Sequence, residues 1–415
     1  MFGLLVGIVA WIAGIAASLA AASLTPVPLL FLLIGAAVYA ILVGTGIAYV
    51  YRRHKRSKRF RAAYALGAIL LALTAFALLK PLDDPQHPPD PIEGLRYWEL
   101  STGSTIAYKL IAGKGTKRPD PIVFLHGGPA TPDMAGDAAY FGRLAAIGYD
   151  VYVYDQLGAG RSSRLQDPRG YKLSRDVADL EAIRQRIGAE RMILVGHSYG
   201  CEIAAHYMAQ YRERVARAVL SSPGAIDSSD RSDAQLTARL AGADRRELYR
   251  LLLQPRVLFA YALLQINPKA AHAFAGDEEM DARFDRVYAA TEPALHAAGN
   301  KSDHPVYGMG FYANQFPQSR AAVEPTDIRP MLKMHPVPAL IIKGSDDYLS
   351  WSSAMDYRKA LPQAQLLYVE AAGHNAYQDQ PDIVWPAVRA FLSDGEPPYD
   401  FYESQTPPVS FKGAP

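Results

Sequence analysis

The chain has 415 residues, and half of them are hydrophobic, which is enough for one large domain with a sizeable core and for additional segments. The formal net charge of +2 depends on residues 52–61, RRHKRSKRFR; without the seven cations of this segment the charge becomes −5, which argues against a nucleic-acid-binding surface. The single cysteine, Cys201, excludes an intrachain disulfide framework and a cysteine-rich metal site, and we expect it to be a small buried helix residue rather than a second nucleophile.

The first eighty residues contain three uncharged apolar runs, at 2–23, 28–51 and 62–79. At about 1.5 Å per helical residue, each run can cross a hydrocarbon core of about 30 Å, the third only just. A cleaved signal peptide is the competing interpretation of the first run, but this run lacks a basic start, and the second run follows after only four residues. We therefore expect residues 1–80 to be a membrane domain with three transmembrane helices.

The basic segment 52–61 predicts the orientation of these helices. Its seven cations should stay in the cytoplasm, whereas only Lys80 follows the third run. The amino terminus would then be cytoplasmic, and everything after residue 80 would lie outside the cytoplasm, as part of an integral protein of the plasma or inner membrane. Residues 81–95 are rich in Pro and Asp and predict a stiff tether, partly in the polyproline conformation.

From residue 96 onward, short apolar strands alternate with helical patterns. The predicted strands are at 96–100, 105–111, 121–125, 150–154, 192–195, 216–221, 339–342 and 365–369, and the helical patterns lie near 135–147, 173–187, 199–212, 353–360 and 382–393. An antiparallel pair followed by this alternation predicts an α/β fold with a mostly parallel eight-stranded sheet and helices on both faces, in which the chemistry lies at the carboxyl ends of the strands. The core would comprise residues 96–222 and 336–393.

Two regions depart from this alternation. Residues 223–335 are helical, acidic and aromatic, and an insertion at this place would be a lid over the site. The apolar run 251–264 within it is too short and interrupted to span a bilayer; we expect it to line the roof of the pocket or to pack on the core, with contact to the membrane surface as the weaker alternative. Residues 394–415 are Pro-rich and predict an irregular surface tail.

The sequence GHSYG at 196–200 follows an apolar strand and precedes a helix. A G-x-S-x-G between a strand and a helix is a nucleophile elbow, a tight turn that lifts the serine hydroxyl above the sheet. The glycines are needed because a side chain at either place would collide with the neighbouring strand or helix. Ser198 is therefore the predicted nucleophile, and His197 has no predicted role in proton transfer.

A serine hydroxyl needs a base that removes its proton and an acid that orients the base, and in this architecture the order along the chain is Ser, Asp or Glu, His. The strand at 339–342 is followed by GSDD at 344–347, and the last strand is followed by Gly373-His374. We assign His374 as general base and then acid, and Asp347 as the orienting carboxylate, with Asp346 as the alternative acid.

The oxyanion that forms from the attacked carbonyl needs N–H donors placed in advance. One predicted donor is the backbone N–H of Tyr199, at the start of the elbow helix. The other comes from HGGPA at 126–130, most plausibly from Gly128, because glycine lets the main chain approach the substrate closely. We interpret His126 as a residue that braces this loop rather than as a base.

Five motifs together resemble the proline iminopeptidase group of the α/β-hydrolases. They are HGGPA at 126–130, YDQLGAGRSS at 154–163, GHSYG at 196–200, GSDD at 344–347 and GHNAYQDQP at 373–381, and the resemblance covers about residues 96–393. It implies the α/β-hydrolase fold with a serine triad and a helical lid insertion. It also implies that Asp155 and Arg161 brace the loop beside the site, for which an ion pair is the simplest physical explanation.

The sequence departs from that group where the substrate is selected. The group usually has HGGPG, but this chain has Ala130, and its lid lacks the tryptophans that commonly accompany the glutamates holding a substrate's amino group. The lid acids Asp277, Glu278, Glu279 and Glu292 are explained equally well by a solvated helix face. The aromatic residues Tyr307, Phe311, Tyr312 and Phe316 could shape an apolar acyl pocket suited to an esterase, with core packing as the alternative.

The leading hypothesis is a membrane-anchored serine hydrolase that cleaves small ester or amide substrates through an acyl-enzyme. A proline iminopeptidase-like aminopeptidase acting on short peptides is the first alternative, and a catalytically silent receptor or scaffold on the same fold is the second. Serine at the elbow argues against dehalogenase or epoxide-hydrolase chemistry, which needs aspartate there. We expect no metal and no cofactor, because the sequence has no H-E-x-x-H, G-x-G-x-x-G or P-loop pattern.

Overall fold

The computed structural model describes residues 2–54, 57–87, 91–227, 236–302, 304–319, 327–334 and 337–414. The chain divides into two compact units. The helical unit comprises Met1–Pro85, Gln166–Arg169 and Arg250–Met280, and the sheet unit comprises Gln86–Leu165, Gly170–Tyr249 and Asp281–Pro415. Parts of the predicted basic segment (55–56), tether (88–90), insertion (228–235, 303, 320–326 and 335) and tail (415) lie outside the described residues.

The sheet unit is built on a mixed sheet with the predicted topology. Its strands are β1 (Leu95–Glu99), β2 (Thr105–Ile111), β3 (Ile122–Leu125), β4 (Val151–Tyr154), β5 (Met192–His197), β6 (Val215–Ser221), β7 (Ala339–Gly344) and β8 (Ala364–Val369). Their spatial order is β1-β2-β4-β3-β5-β6-β7-β8. The β1–β2 and β2–β4 pairs are antiparallel and the other pairs are parallel, which confirms the mostly parallel eight-stranded sheet.

Helices occupy most of the connections between these strands and the whole of the amino-terminal region. They are α1 (Phe2–Ala22), α2 (Pro28–His54), α3 (Ser57–Leu79), α4 (Met134–Phe141), α5 (Leu173–Ile187), α6 (Tyr199–Gln210), α7 (Gly242–Leu252), α8 (Pro255–Ile266), α9 (Pro268–Phe274), α10 (Asp277–Thr291), α11 (Phe311–Gln315), α12 (Arg329–Met334), α13 (Trp351–Ala360), α14 (Ala376–Asp379) and α15 (Pro381–Ser393). The elements from α7 to α12 all lie between β6 and β7, so the predicted insertion is helical.

The core of the sheet unit explains why its central strands are apolar throughout. Every residue of β3, β5 and β7 is buried, because a parallel sheet covered on both faces has no solvent-facing side. Phe124 and Val195 from the sheet share one cluster with Phe141 and Val388 from the covering helices. The buried sheet gives the loops at its carboxyl edge a rigid support.

Helices α1 and α2 are long and apolar enough to cross a membrane, over Leu5–Ala22 and Pro28–Tyr49. The two helices approach closely at small residues, as helix pairs in membranes commonly do. A Cβ on Gly35 would lie 2.5 Å from the carbonyl oxygen of Gly14. Among the described residues these are the two helices that meet the criterion, so two of the three predicted transmembrane helices are found and the third is not. The apolar part of α3 that the structure describes without interruption, Tyr64–Leu79, would cover about 24 Å of a core of about 30 Å.

The apolar run 251–264 of the insertion belongs to the helical unit. Phe259 of α8 and Phe274 of α9 both pack against Phe31 from α2, with ring centroids 6.4 and 6.5 Å from it. The expectation that this run packs on the hydrolase core or lines its pocket is therefore replaced by packing against the amino-terminal helices. The apolar sequence of this run does not distinguish the hydrolase core from the amino-terminal helices as packing partners, since both are apolar.

Candidate active site

Ser198 occupies the turn between β5 and α6 with backbone angles of φ +52° and ψ −117°. L-residues rarely adopt such a positive φ, so the turn must be held from outside. The Ser198 N–H donates to the carbonyl oxygen of Ser221 on β6 at 2.9 Å. A Cβ on Gly200 would lie 2.0 Å from the carbonyl oxygen of Leu125, and one on Gly196 would lie 2.8 Å from the backbone of Gly200. Both flanking glycines are thus required by the close approach of main chains.

His374 and Asp347 are buried together on the loops after β8 and β7. The Nδ1 atom of His374 lies 2.8 Å from Oδ1 of Asp347. A carboxylate partner makes Nδ1 the protonated nitrogen and leaves Nε2 free to accept a proton. The hydroxyl of Ser222 donates to the carbonyl oxygen of His374 at 2.6 Å, and the rings of His197 and His374 are 4.8 Å apart. The loop of the base therefore lies against the segments that flank Ser198.

A buried ammonium group neutralises Asp347. The Nζ atom of Lys343, at the end of β7, is 2.8 Å from Oδ2 of Asp347 and donates to the carbonyl oxygen of Leu349 at 3.0 Å, and both charged side chains are fully buried. Burial opposes the ionisation of Asp347, but Lys343 and His374 hold its pKa well below its usual range. Sequence reasoning missed Lys343, although a lysine that ends the wholly apolar run 339–342 signals a buried partner.

Asp346, the alternative acid, faces other partners. Its Oδ2 accepts a hydrogen bond from the hydroxyl of Ser345 at 2.7 Å, and its Oδ1 lies 2.8 Å from Nζ of Lys412. The hydrogen bond from His374 goes to Asp347. The geometry thus favours Asp347 as the orienting carboxylate.

Residues 394–414 contain no helix or strand, but hydrogen bonds fix their end to the loop that follows β7. The N–H of Lys412 donates to the carbonyl oxygen of Ser345, and the N–H of Trp351 donates to the carbonyl oxygen of Ala414, both at 2.8 Å. A Cβ on Gly413 would lie 2.7 Å from the carbonyl oxygen of Asp347. The predicted tail is therefore irregular in its backbone and in direct contact with the acid loop.

An aromatic ring of the same segment covers the buried ammonium group. The ring centroid of Phe411 lies 5.6 Å from Nζ of Lys343 and 5.4 Å from the ring of Trp351. Such a ring face attracts a cation, more strongly where water is excluded. Phe411 thus stabilises the buried ammonium group of the Lys343–Asp347 pair.

The loop of His374 is held by an ion cluster from the insertion. Nδ1 of His296 lies 2.6 Å from Asp379, and Nε2 lies 3.2 Å from Glu292. Oδ2 of Asp379 accepts the N–H of Gly373, directly before the base, at 2.7 Å. Burial opposes the charge on His296, but the two carboxylates raise its pKa to about 9, so it is a cation at neutral pH. Sequence reasoning missed this cluster because its members are 83 residues apart.

The HGGPA loop lies beside the nucleophile. A Cβ on Gly127 would lie 3.1 Å from Cβ of Ser198. Gly128 is exposed and has φ +124°, where a Cβ would lie 2.6 Å from the N atom of Ala130. His126 donates from Nδ1 to the carbonyl oxygen of Gly127 at 2.9 Å. Burial lowers its pKa to about 4, so it stays neutral.

His126 ties this loop to the loop after β4. Its Nε2 accepts the N–H of Gln156 at 2.9 Å, and the Gln156 side chain donates to the His126 carbonyl oxygen at 2.8 Å. Next to it, buried Asp155 accepts the backbone N–H of Arg161 at 2.8 Å, and burial raises the pKa of Asp155 to about 6. We interpret these hydrogen bonds as contacts that fix the conformation of the HGGPA loop and of the loop after β4.

The second predicted oxyanion donor, Tyr199, begins α6 immediately after Ser198. Its hydroxyl donates to Oδ2 of Asp176 at 2.7 Å, which fixes the side chain, and its N–H lies in the first turn of α6. Burial raises the pKa of Asp176 to about 7. Cys201, two residues further, is fully buried, and burial raises the pKa of its thiol well above its usual value.

The aromatic residues of the insertion differ in their surroundings. Phe311 and Tyr312 are each 1% exposed, and Phe311 packs edge-on against Phe284 at 6.1 Å. The ring of Tyr307 stacks on His87 at 4.1 Å. The contacts of Phe311 and Tyr312 correspond to core packing, the alternative to an acyl pocket.

Three of the lid acids are committed to partners within the chain. Glu292 is 3.2 Å from His296, Asp277 is 2.8 Å from His272, and Glu279 bonds Arg256. Among the described residues, no group of three or more His, Cys, Asp or Glu side chains is arranged to hold a metal ion.

Comparison with known proteins agrees with this architecture. The family model described as alpha/beta hydrolase fold matches residues 120–381. The proline iminopeptidase of Saccharolobus solfataricus is 26% identical over 301 residues, covering 70% of this chain and 89% of the relative. The human 1-acylglycerol-3-phosphate O-acyltransferase ABHD5 is 29% identical over 311 residues, covering 70% and 79%. An esterase from Exiguobacterium antarcticum superimposes with a TM-score of 0.50 at 18% identity, covering 72% of this chain and 98% of the esterase.

The chain therefore belongs to the α/β-hydrolase family of enzymes. Within this family it falls in the group similar to the proline iminopeptidases.

Proposed function

We propose that the protein is a serine hydrolase that cleaves ester or amide bonds through an acyl-enzyme. The observation that carries this proposal is the 2.8 Å contact between His374 and Asp347 on loops that lie against the Ser198 elbow. In the proposed reaction, Nε2 of His374 takes the proton as Oγ of Ser198 attacks the substrate carbonyl. The carboxylate of Asp347 stabilises the imidazolium that forms.

The negative charge on the carbonyl oxygen would be stabilised by the N–H groups of Tyr199 and Gly128. His374 then gives its proton to the leaving group, and Ser198 remains acylated. Water, deprotonated by the same histidine, attacks the acyl-enzyme, and the serine leaves with the returned proton. The bonds broken are the substrate C–O or C–N bond and one O–H bond of water, so no other reactant is required.

Labelling of membranes with a fluorophosphonate probe tests the proposal. We expect wild type to be labelled and Ser198→Ala to be unlabelled, with a loss of hydrolysis of about 10⁴-fold or more. Ser174→Ala, which removes an exposed hydroxyl on α5, is the matched control and should still label. If wild type and Ser198→Ala label equally, or neither labels, the chain is instead a silent receptor or scaffold on this fold.

Esters are the favoured substrates, with the aminopeptidase as second candidate. The aminopeptidase is supported by the proline iminopeptidases among the relatives. Against it, three of the acids that could hold a substrate's amino group bond His296, His272 and Arg256 instead. Comparing Pro-arylamides with short p-nitrophenyl esters distinguishes the two: a higher kcat/KM for the arylamides would identify an aminopeptidase.

We further propose that α1 and α2 anchor the protein in a bilayer with the amino terminus in the cytoplasm. The basic segment 52–61 follows α2 and should remain cytoplasmic, which places the turn between α1 and α2 at the opposite surface. The side chain of Asn267 bonds the carbonyl oxygen of Ala22 beside that turn at 2.8 Å. Arg256 of the insertion bonds the carbonyl oxygen of Leu78 in the last turn of α3, so the carboxyl end of α3 is held by helix α8. A bilayer can thin around a helix shorter than its hydrocarbon core, and α3 would cross in this way. The hydrolase domain that follows α3 in the chain would then lie outside the cytoplasm.

Cysteine accessibility tests this orientation. Because Cys201 is buried, a cysteine introduced at exposed Arg389 should be the site that reacts with a membrane-impermeant maleimide. Labelling of Arg389→Cys in intact cells supports the orientation. Labelling only after the membrane is permeabilised would place the domain in the cytoplasm.

A further inference from the structure

Two helices of the insertion are integral parts of the helical unit. The chain enters this unit at Arg250, in the segment after β6, and leaves it at Met280. Phe31 of α2 has no exposed surface, and the rings of Phe259 and Phe274 that cover it are 5.2 Å apart and nearly perpendicular. The aromatic cluster joins α8 and α9 to an amino-terminal helix that is apolar enough to span a membrane.

Hydrogen bonds at helix ends complete this attachment. The last carbonyl groups of a helix lack partners within it, and buried ones must be satisfied from elsewhere. Asn267, between α8 and α9, donates to the carbonyl oxygen of Ala22 at the end of α1 at 2.8 Å. Arg256 of α8 donates to the carbonyl oxygen of Leu78 in the last turn of α3 at 2.5 Å and to that of Phe274 at 2.9 Å. The carboxyl ends of α1 and α3 are thus tied to the same two helices.

Arg256 is paired rather than left as a buried charge. It is 7% exposed, and its guanidinium bonds Oε2 of Glu279 at 2.7 Å. Oε1 of Glu279 also accepts the N–H of Leu82, just beyond α3, at 2.8 Å. The charged groups that fix α8 are therefore turned inward and satisfied.

Most of the exposed side chains of α8, and that of Leu253 just before it, are apolar. Leu253, Leu258 and Ile266 are 61%, 48% and 43% exposed. Leu24 in the α1–α2 turn and Leu79 at the end of α3 are also exposed, at the helix ends to which α8 and α9 are bonded. Large exposed apolar side chains concentrated at one place mark a surface that meets another apolar phase. Here they continue the apolar exterior of α1 and α2.

We propose that α8, with its neighbour Leu253, is a bilayer-contacting surface whose occupants are lipid acyl chains, and that the substrates are acyl esters that partition into the membrane. The proposal rests on the proposed serine hydrolysis and on anchoring by α1 and α2. An enzyme attached to a bilayer encounters esters that partition into that bilayer at a higher local concentration than esters that stay in water, which is the ground for the proposed substrate class.

An environment-sensitive fluorophore tests the surface itself. The full chain is reconstituted in phosphatidylcholine vesicles with nitrobenzoxadiazole attached at Leu258→Cys, and Arg389→Cys of α15 is the control; buried Cys201 stays unlabelled. We expect blue-shifted emission at position 258, with at least twofold stronger quenching by lipid-borne nitroxides than at position 389. Equal, water-like signals at both positions would overturn the proposal, whether or not the protein hydrolyses esters.

A charge substitution tests the substrate class. Leu258→Glu should lower the rate on a long-chain ester embedded in vesicles at least tenfold relative to the rate on soluble p-nitrophenyl acetate. Lys269→Glu, an exposed residue on α9 that is already polar, is the matched control and should leave this ratio within twofold of wild type. An unchanged ratio in Leu258→Glu would refute the substrate class. Quenching at position 258 without hydrolysis of either ester would refute the serine hydrolase and support the surface.

Discussion

The turn that carries Ser198 and the loops that carry Asp347 and His374 are held in place by different kinds of contact. The turn depends on glycines two residues to either side of the serine and on the strand next to it. The acid and the base depend on distant segments: Lys412 lies 66 residues after Asp346, and His296 lies 83 residues before Asp379. The position of the proposed nucleophile is thus encoded locally, whereas that of the proposed acid–base pair depends on the complete tertiary structure.

Because of this difference, we expect the Ser198 turn and the loops of Asp347 and His374 to respond differently to substitutions. A local turn tolerates no added atom, because main chains already touch there. Loops held by remote ion pairs and rings can lose one contact and remain folded, with a less well placed acid or base. The variants below test this distinction in order of decreasing expected effect.

The largest effect is expected at the elbow. Gly200→Ala places a methyl group 2.0 Å from the carbonyl oxygen of Leu125, so the turn must open and Ser198 must move. We expect hydrolysis to fall by about 10⁴-fold, as if the nucleophile were removed. Fluorophosphonate labelling and ester hydrolysis measure this. Gly242→Ala, at the start of α7 with only a flexible arginine nearby, is the control, and equal effects in both would show that the elbow is not locally determined.

Lys343→Met should have the next largest effect. It leaves Asp347 buried without its ammonium partner, which costs about 3–5 kcal/mol of folding free energy. Burial then raises the pKa of Asp347, so this carboxylate becomes protonated at a less acidic pH. The acid limb of the kcat/KM profile should therefore move to higher pH. The exposed Lys412→Met is the control, with a loss below about 1 kcal/mol; a pH profile identical to wild type in Lys343→Met would contradict the role given to Lys343.

His296 predicts a pH dependence of stability. Its folded pKa of about 9 lies above its usual value of 6.5, so its stabilisation is fully present below pH 6.5 and is lost as the pH rises through 9. The free energy of unfolding of wild type should exceed that of His296→Gln by up to about 3 kcal/mol at pH 6, and the difference should shrink above pH 9. Urea unfolding at several pH values measures it. A difference that does not vary with pH would show that the imidazole is uncharged in the cluster.

The smallest effect is expected from the carboxyl-terminal segment. Phe411→Ala removes the ring over Lys343 and against Trp351, and we expect a loss of about 1–2 kcal/mol in stability and a severalfold lower kcat with little change in KM. Tyr399→Ala, an exposed aromatic residue of the same segment, is the control. If both variants behave alike, the segment does not position the acid.

The sequence predicts well what is determined by neighbours in the chain. The strands from β2 to β8 lie within two residues of the predicted bounds, because each is a short apolar run between turns. The close contacts of Gly196 and Gly200 follow from the motif in the same way. The chain order of Ser198, Asp347 and His374 is also sufficient to propose the triad before any geometry is known.

What the sequence does not predict depends on contacts across the fold. Glu292 looks like part of a solvated helix face, yet it lies against a histidine that holds the base loop. The run 251–264 has the composition of a core segment, and only its partner, Phe31, shows to which unit it belongs.

The attachment of Lys412 and Ala414 to the acid loop matters for how the protein is prepared. An affinity tag or fluorescent fusion joined after Pro415 would begin two residues beyond Ala414, whose carbonyl oxygen accepts the N–H of Trp351 at 2.8 Å. Any pull on that peptide is transmitted to Ser345 and Asp347, so turnover measured on such fusions would be lower than in the untagged enzyme. A tag at the amino terminus leaves these hydrogen bonds intact and is the better choice for purification.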